Sequence, residues 1–161
     1  MTVIPYLLYL LLVAFHEVIL RDLTAIYGVT INLPVLLVLG VALYKPEAAA
    51  LWFGFAAGLA ASAARPELSG WYALLTAGLA AAAWHVRERL NLEALLSKLL
   101  LVFLGVLAYN LVAAAVGGLE GYWFHVYRLQ IPGAVYTALV AWVFFLFKER
   151  RVTAQKLKAM F

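Results

Sequence analysis

The stretch LLLVFLGVLAYNLVAAAV, residues Leu99–Val116, contains 18 consecutive residues without a charged side chain. At a rise of 1.5 Å per residue, a helix of this length approaches the roughly 20 residues needed to cross the hydrocarbon core of a bilayer. A backbone in lipid must satisfy its own polar groups, so the run is read as a helix rather than a strand. The stretch therefore predicts a transmembrane helix.

Five further apolar runs of similar length lie on either side of it. The six predicted spans are Val3–Leu20, Ala25–Tyr44, Ala48–Ala64, Trp71–Val86, Leu99–Val116 and Ile131–Phe147. The chain is 67% hydrophobic and 12% charged, with a mean hydropathy of +0.98, which excludes the soluble and disordered classes. The connections are too short for a domain outside the membrane. The sequence thus predicts an all-α compact bundle of six transmembrane helices over residues 1–147, followed by a basic tail, residues 148–161.

Basic residues are distributed unevenly over alternate connections. One set contains nine of them: Lys45, Arg87, Arg89, Lys98, Lys148, Arg150, Arg151, Lys156 and Lys158. The other set contains three, which are Arg21, Arg65 and Arg128. Short loops rich in lysine and arginine stay in the cytoplasm. The set of nine is therefore predicted to be cytoplasmic, and with six spans both termini are cytoplasmic as well.

The basic tail has two interpretations. It keeps apolar side chains among its lysines and arginines, namely Val152, Leu157, Met160 and Phe161. It can therefore lie on the anionic inner leaflet as a short amphipathic helix. The alternative is a solvated tail that only fixes the orientation of the bundle.

Polar side chains inside the spans concentrate in their outer halves. Asn32, Asn110 and Thr137 are the deepest of these, and Asn110 lies about 9 Å below the outer end of its span. An amide at this depth needs hydrogen-bond partners, so the three residues are candidates for a partly polar cavity that opens outward. The alternative is that they only hold helices together. Glu17 lies four residues before Arg21, a spacing that favours a local ion pair.

Small residues predict where two helices approach closely. Gly54 and Gly58 form a G-x-x-x-G pattern in the third span, and the fourth span is rich in alanine around Gly78. Helices in lipid are held together largely by van der Waals contact, which small residues allow. We expect the third and fourth spans to form a tight antiparallel hairpin at the centre of the bundle. The candidate packing or partner interface consists of Gly54, Phe55, Gly58, Ala61 and Gly78.

The chain offers no recognisable catalytic constellation. It contains no cysteine, which excludes disulfides and thiolate metal sites. His16-Glu17 begins like the zinc-protease pattern H-E-x-x-H, but Leu20 occupies the position of the second histidine. We therefore expect a protein that is not an enzyme and that needs no cofactor or metal. The basic pI of 9.4 is explained by the cytoplasmic connections and requires no nucleic-acid partner.

The longest outer connection, Gly117–Gln130, is rich in aromatic residues. Tyr122, Trp123 and Tyr127 belong to the residue types favoured at recognition surfaces, so this connection is a candidate docking loop for a partner protein. The alternative is an interfacial belt that anchors the bundle, as expected for Trp71 and Tyr72 at another outer boundary.

Three segments together resemble the MreD family, the small membrane subunit of the bacterial rod-shape machinery. They are Asn32–Leu39 (NLPVLLVL), Gly54–Leu59 (GFAAGL) with the downstream Gly70, and Ile131–Leu139 (IPGAVYTAL). Length, six spans and a basic tail also match, so the resemblance covers essentially the whole chain. The family often carries an aspartate shortly after its G-F-x-x-G-L motif, whereas this chain has Ser62 and no acid there.

The resemblance implies a multi-pass protein of the bacterial cytoplasmic (inner) membrane that binds MreC, a protein with a single span. In that family the pair links MreB filaments to peptidoglycan synthesis by RodA and its penicillin-binding transpeptidase. The six-helix plan is also similar to that of the substrate-binding subunits of energy-coupling-factor transporters. The alternative function is therefore a membrane subunit that binds a small molecule or a lipid. The first span argues against this alternative, because it contains only one alanine, Ala14, where those subunits present an A-x-x-x-A face.

The predicted orientation can be tested with reporter fusions. Because nine of twelve basic residues lie on one side, a reporter that is active only in the cytoplasm should be active when fused after Phe161. The same reporter inserted between residues 117 and 121 should be silent. The reverse pattern of activity would refute the orientation.

Overall fold

Six helices make up most of the computed structural model, which describes residues 3–63, 66–89, 94–116 and 122–158, with side chains up to residue 146. They are α1 (Ile4–Leu23), α2 (Leu33–Tyr44), α3 (Glu47–Ala61), α4 (Ser69–Arg89), α5 (Leu95–Val116) and α6 (residues 122–158). A short 3-10 turn, Pro66–Leu68, precedes α4. No strand forms within these ranges, so the predicted all-α class is confirmed.

Three of the helices are long and apolar enough to cross a membrane: α1, α5 and the part of α6 from Tyr122 to Leu146. Helices α2 and α3 are also apolar, but they contain only 12 and 15 residues. Their lengths of about 18 and 22 Å fall short of the roughly 30 Å hydrocarbon core. Six helices are therefore present, whereas six complete spans and the cytoplasmic position of both termini remain predictions.

The predicted second span is wrong over residues 25–32, which are not helical. Ile26 and Val29 exchange two backbone hydrogen bonds of 3.0 Å across a tight turn, in which Tyr27 and Gly28 have φ values of 53° and 83°. Gly28 tolerates this left-handed conformation without steric cost. Helix α2 then starts at Leu33, because Pro34 fits only the first turn of a helix.

The other boundaries differ because hydropathy marks the edge of the apolar region and not the end of a helix. Helix α3 ends at Ala61, where the Ser62 hydroxyl donates to the Leu59 carbonyl at 2.9 Å, and not at Ala64, which lies outside the described residues. Helices α4 and α5 extend beyond their apolar runs into charged sequence. Helix α6 begins at Tyr122 and continues to Lys158, into the predicted tail. The side chains of the tail are not among those that the structure describes, so the amphipathic face of the tail stays a prediction.

Helix α2 occupies the middle of the bundle. The side chains of Val35, Val38, Leu39 and Ala42 are fully buried. They belong to one core cluster together with residues of α3, α4, α5 and α6. The central position expected for the third and fourth spans therefore belongs to the second helix. A short helix can hold this place because its neighbours, and not lipid, surround it.

Helices α3 and α4 pack closely through glycine. A Cβ atom added at Gly54 would lie 2.9 Å from the Thr76 carbonyl oxygen. At Gly58 it would lie 2.6 Å from both the Ala73 Cα and the Tyr72 carbonyl oxygen, and it would also collide with the Thr76 hydroxyl. Only glycine fits at these two positions without moving the backbone of α4. Ala57, between them in sequence, is fully buried.

Two other residues of the predicted packing interface lie away from this contact. Phe55 is 39% exposed, and a Cβ added at Gly78 would meet no atom within 4 Å. Ala61 is partly buried and lies at the rim of the pocket described below. Helical rotation explains the difference, because residues one position apart in a helix face different directions. The close contact of α3 with α4 therefore depends on Gly54 and Gly58 and not on Phe55 or Gly78.

An arginine joins α2 and α4 at the end of the bundle where both helices end. Arg87 of α4 donates from Nη1 to the carbonyl oxygens of Ala42 and Lys45, at 3.2 and 3.0 Å. These carbonyls belong to the last turn of α2, where a helix leaves its acceptors unsatisfied and favours a positive charge. Lys45 and Arg87, both predicted to be cytoplasmic, thus lie together at one end.

The packing of α3 against α4 predicts different effects of alanine at two glycines. Gly58→Ala forces a Cβ into the backbone of α4 and should lower the free energy of unfolding by about 1–3 kcal/mol. Gly78→Ala is the matched control, since its Cβ enters open space and should leave stability equal or slightly higher. Unfolding in detergent, followed by circular dichroism, measures both. Equal stability of the two variants would contradict the contact.

Candidate functional site

Asn32 connects three helices at the end of the bundle that is predicted to face outward. Its side-chain Nδ2 donates to Asn110 Oδ1 of α5 at 2.8 Å, and its backbone N–H donates to Thr137 Oγ1 of α6 at 3.1 Å. Its own Oδ1 accepts from the Val35 backbone N–H at 3.3 Å and thereby caps α2. The three residues predicted to form an outward cavity are thus brought together.

Thr137 lies beneath the other two. It is fully buried, and its hydroxyl donates to the Gly133 carbonyl at 2.8 Å while it accepts from Asn32. Asn32 and Asn110 are partly exposed and line a pocket above it. Thr137 therefore supports the pocket from below, whereas the two amides form part of its surface.

The pocket has a volume of about 400 Å³, within the range of small-molecule sites. Polar and apolar residues share its surface. The polar residues that precede α6 include Glu17, Arg21, Asn32, Ser62, Tyr72, Tyr109 and Asn110. Helix α6 adds His125 and Gln130, and Gly28 and Thr30 of the non-helical segment also line the pocket. Every helix contributes to the pocket, so it is a property of the whole bundle.

Two π-helical turns border this pocket. In α1, residues His16–Leu20 are π-helical and the Arg21 N–H bonds to the His16 carbonyl. In α6, residues Val126–Gln130 are π-helical and the Ile131 N–H bonds to the Val126 carbonyl. Such turns are rare and often lie at functional sites. Each one places pocket residues: Glu17 lies in the first, and Gln130 in the second.

The carboxylate of Glu17 is a largely buried charged group in the pocket. The Glu17 side chain is 12% exposed and its Oε2 accepts from Arg21 Nη1 at 3.2 Å, the i,i+4 pair expected from the sequence. The Arg21 side chain is 53% exposed. His16, also buried, places its Nδ1 3.6 Å from Glu17 Oε1, which is beyond hydrogen-bond distance. Neither ring nitrogen of His16 has a hydrogen-bond partner among the described residues.

For several pocket residues the sequence predicts other roles. It predicts a local ion pair for Glu17 and Arg21 and an interfacial belt position for Tyr72. Tyr109 was not singled out at all, although it directly precedes Asn110. Its ring lies 6.5 Å from that of Tyr72, between α4 and α5. Position along the spans is the available signal, because Glu17, Arg21 and Tyr72 lie near predicted outer ends and Tyr109 lies beside the candidate cavity residue Asn110.

Ser62 lies at the rim of the same pocket. Its side chain is buried and its hydroxyl donates a hydrogen bond to the Leu59 carbonyl. The residue lies in the stretch Ala60-Ala61-Ser62, where the resemblance to the MreD family predicts an acidic residue. The hydroxyl brings no charge to the pocket, so Glu17 is its acidic group among the described residues.

The predicted docking loop is helical where the structure describes it. Tyr122 and Trp123 lie in the first turn of α6 and Tyr127 in its π-helical turn, while residues 117–121 lie outside the described residues. Trp123 and Tyr127 are 69% and 70% exposed. Tyr122 instead turns inward, and its hydroxyl donates to the Leu111 carbonyl at 3.2 Å. The exposed aromatic residues of this segment are therefore Trp123, Phe124, which is 62% exposed, and Tyr127, without Tyr122.

No family model, no curated protein and no solved structure matches this chain. Within the described ranges, no group of three histidine, aspartate or glutamate side chains is placed to hold a metal ion.

Proposed function

We propose that the chain is a non-enzymatic membrane subunit of a bacterial cell-elongation machinery, of the MreD type. The observation that carries the proposal is the structural role of the three segments that resemble that family. Asn32 and Thr137, from the first and third segments, are joined by a hydrogen bond of 3.1 Å. Gly54 and Gly58, from the second, make the closest approach of α3 to α4. The resemblance thus falls on contacts that hold the bundle together.

In this role the protein binds a partner similar to MreC at its surface. The exposed surface of α1 is apolar, with Leu7, Leu11 and Val18 each more than half exposed. A single transmembrane span can pack on such a surface in place of lipid. A partner that continues into a domain outside the membrane then passes Trp123 and Tyr127 at the outer end. Through it, the subunit helps couple MreB filaments to RodA and its penicillin-binding transpeptidase.

A second candidate function is favoured by one observation, the polar pocket of about 400 Å³ at the outer end. A membrane protein that only scaffolds a partner needs no such pocket. A subunit that binds a small molecule or a lipid, as in energy-coupling-factor transporters, does need one. The two functions are compatible, because the pocket and the exposed surface of α1 use different residues.

The docking of the partner can be tested by co-purification with the MreC-like protein of the same cell. Trp123→Ala and Tyr127→Ala should reduce the recovered partner about tenfold, since exposed aromatic residues often dominate binding energy. Trp71→Ala is the matched control, because Trp71 is 57% exposed at the start of α4. It should leave recovery unchanged.

Thermal stability of each variant in detergent separates docking from anchoring. A docking role predicts unchanged stability in all three variants. If partner recovery falls only in proportion to lost folded protein, or falls equally for Trp71→Ala, the aromatic residues anchor the bundle in the membrane and the docking surface is wrong.

A further inference from the structure

The outer pocket contains a carboxylate oxygen that accepts no hydrogen bond from the described residues. Glu17 Oε2 accepts from Arg21, whereas His16 Nδ1 lies 3.6 Å from Oε1, beyond hydrogen-bond distance. The Glu17 side chain is 12% exposed and lines the pocket. Removing a charged oxygen from water is unfavourable unless a donor replaces the water. The Glu17 position therefore favours a ligand that presents N–H groups, most strongly a cationic one.

Unused donors lie in the same pocket. The Arg21 guanidinium has five N–H groups, and one of them donates to Glu17. Its side chain is half-exposed and lines the pocket. The Asn110 Nδ2 group and the Tyr109 hydroxyl make no hydrogen bond to the described residues, although Asn110 Oδ1 is engaged by Asn32. These three groups favour a ligand with several acceptor oxygens, and the guanidinium favours an anionic one.

An anionic acceptor and three donor-bearing residues thus line the same pocket, so the complementary ligand is a zwitterion. We infer that the pocket binds a phosphoethanolamine group. Its ammonium donates to Glu17, and its phosphate oxygens accept from Arg21, Asn110 and Tyr109. A phosphodiester has two ester oxygens in addition to its two charged oxygens, whereas a carboxylate has two oxygens in all, so a phosphate suits three donors better. The inference rests on the second function proposed above, binding of a lipid or small molecule, and names its ligand.

This group can come from a phospholipid headgroup or from free phosphoethanolamine. The pocket lies at the predicted outer end, where headgroups of the outer leaflet are at hand. Its apolar lining, which includes Ala61, Ala113 and Leu129, suits the glycerol and upper acyl region of a lipid. Competition between the two sources is therefore part of the test.

A choline headgroup is the informative comparison. The rings of Tyr72 and Tyr109, 6.5 Å apart, are of the type that attracts quaternary ammonium groups. A trimethylammonium group, however, has no N–H to donate to Glu17. Phosphatidylcholine keeps the phosphate and the positive charge of phosphatidylethanolamine and differs in the three methyl groups that replace the N–H hydrogens. Phosphatidylglycerol keeps the phosphate and lacks the cation.

The experiment uses the full chain in detergent, titrated with these three lipids carrying identical short acyl chains. Native mass spectrometry reports the adducts and thermal unfolding reports the stabilisation. We expect phosphatidylethanolamine to bind at least tenfold more tightly than the other two. Displacement of the lipid by free phosphoethanolamine would identify the headgroup alone as a sufficient ligand. Retention of the lipid would identify the phospholipid as the source.

Two variants test the assigned contacts. Glu17→Gln should reduce the preference for phosphatidylethanolamine about tenfold, and Tyr109→Phe should weaken its binding about fivefold by removing only a hydroxyl. Glu67→Gln is the matched control, because Glu67 is exposed in the connection before α4 and does not line the pocket. It should bind like the unaltered chain.

Equal or tighter binding of phosphatidylcholine would overturn the inference, as would an unchanged preference in Glu17→Gln. Both results leave lipid binding itself intact. The absence of any lipid or phosphoethanolamine adduct would overturn the inference and would also remove the support for the second function. Because the lipid comparison is made on the unaltered chain, a variant that fails to fold does not prevent the decision.

Discussion

The end of the bundle that contains the pocket depends on Asn32, which provides the hydrogen bonds needed where helix α2 begins. Helix α2 starts at Leu33, and polar groups at a helix end near lipid need partners within the protein. Asn32 meets this requirement three times, by capping Val35, donating to Asn110 and donating its backbone N–H to Thr137. The same residue therefore ends α2 and fixes α5 and α6 against it.

The break also creates the site. Since α2 contains only 12 residues, the chain reaches the pocket end of the bundle as a non-helical segment. Irregular backbone at membrane depth is tolerated where it is buried in protein or lines a cavity, and here Gly28, Thr30 and Ile31 line the pocket. The π-helical turns of α1 and α6 adjust the neighbouring walls. A short central helix, a polar pocket and two irregular turns are thus parts of one arrangement.

The sequence predicts the helices well, because each of the six apolar runs contains a helix. It also selects Asn32, Asn110 and Thr137, which hydrogen bonds join in the structure. The predicted helix over residues 25–32 is wrong because apolar residues such as Val29 and Ile31 occur in turns as well as in spans. Gly28 and Pro34 are the signals of the break in the sequence. Hydropathy indicates how far along a helix a residue lies, but it does not indicate which side of the helix the residue faces. For that reason it could not separate Gly58, which contacts α4, from Gly78, which faces open space, nor place Glu17 and Tyr109 in one pocket.

The central claim, that Asn32 joins α2 to α5 through its side chain, is tested most directly by a double-mutant cycle. Unfolding free energies in detergent are measured for Asn32→Ala, Asn110→Ala and the double variant. The hydrogen bond of 2.8 Å predicts a coupling of about 0.6–1.7 kcal/mol, the range for hydrogen bonds between membrane helices. The control pair, Asn32 with Thr76, should give a coupling near zero, because the Thr76 hydroxyl donates to carbonyls of its own helix. Additive effects of Asn32→Ala and Asn110→Ala would contradict the account.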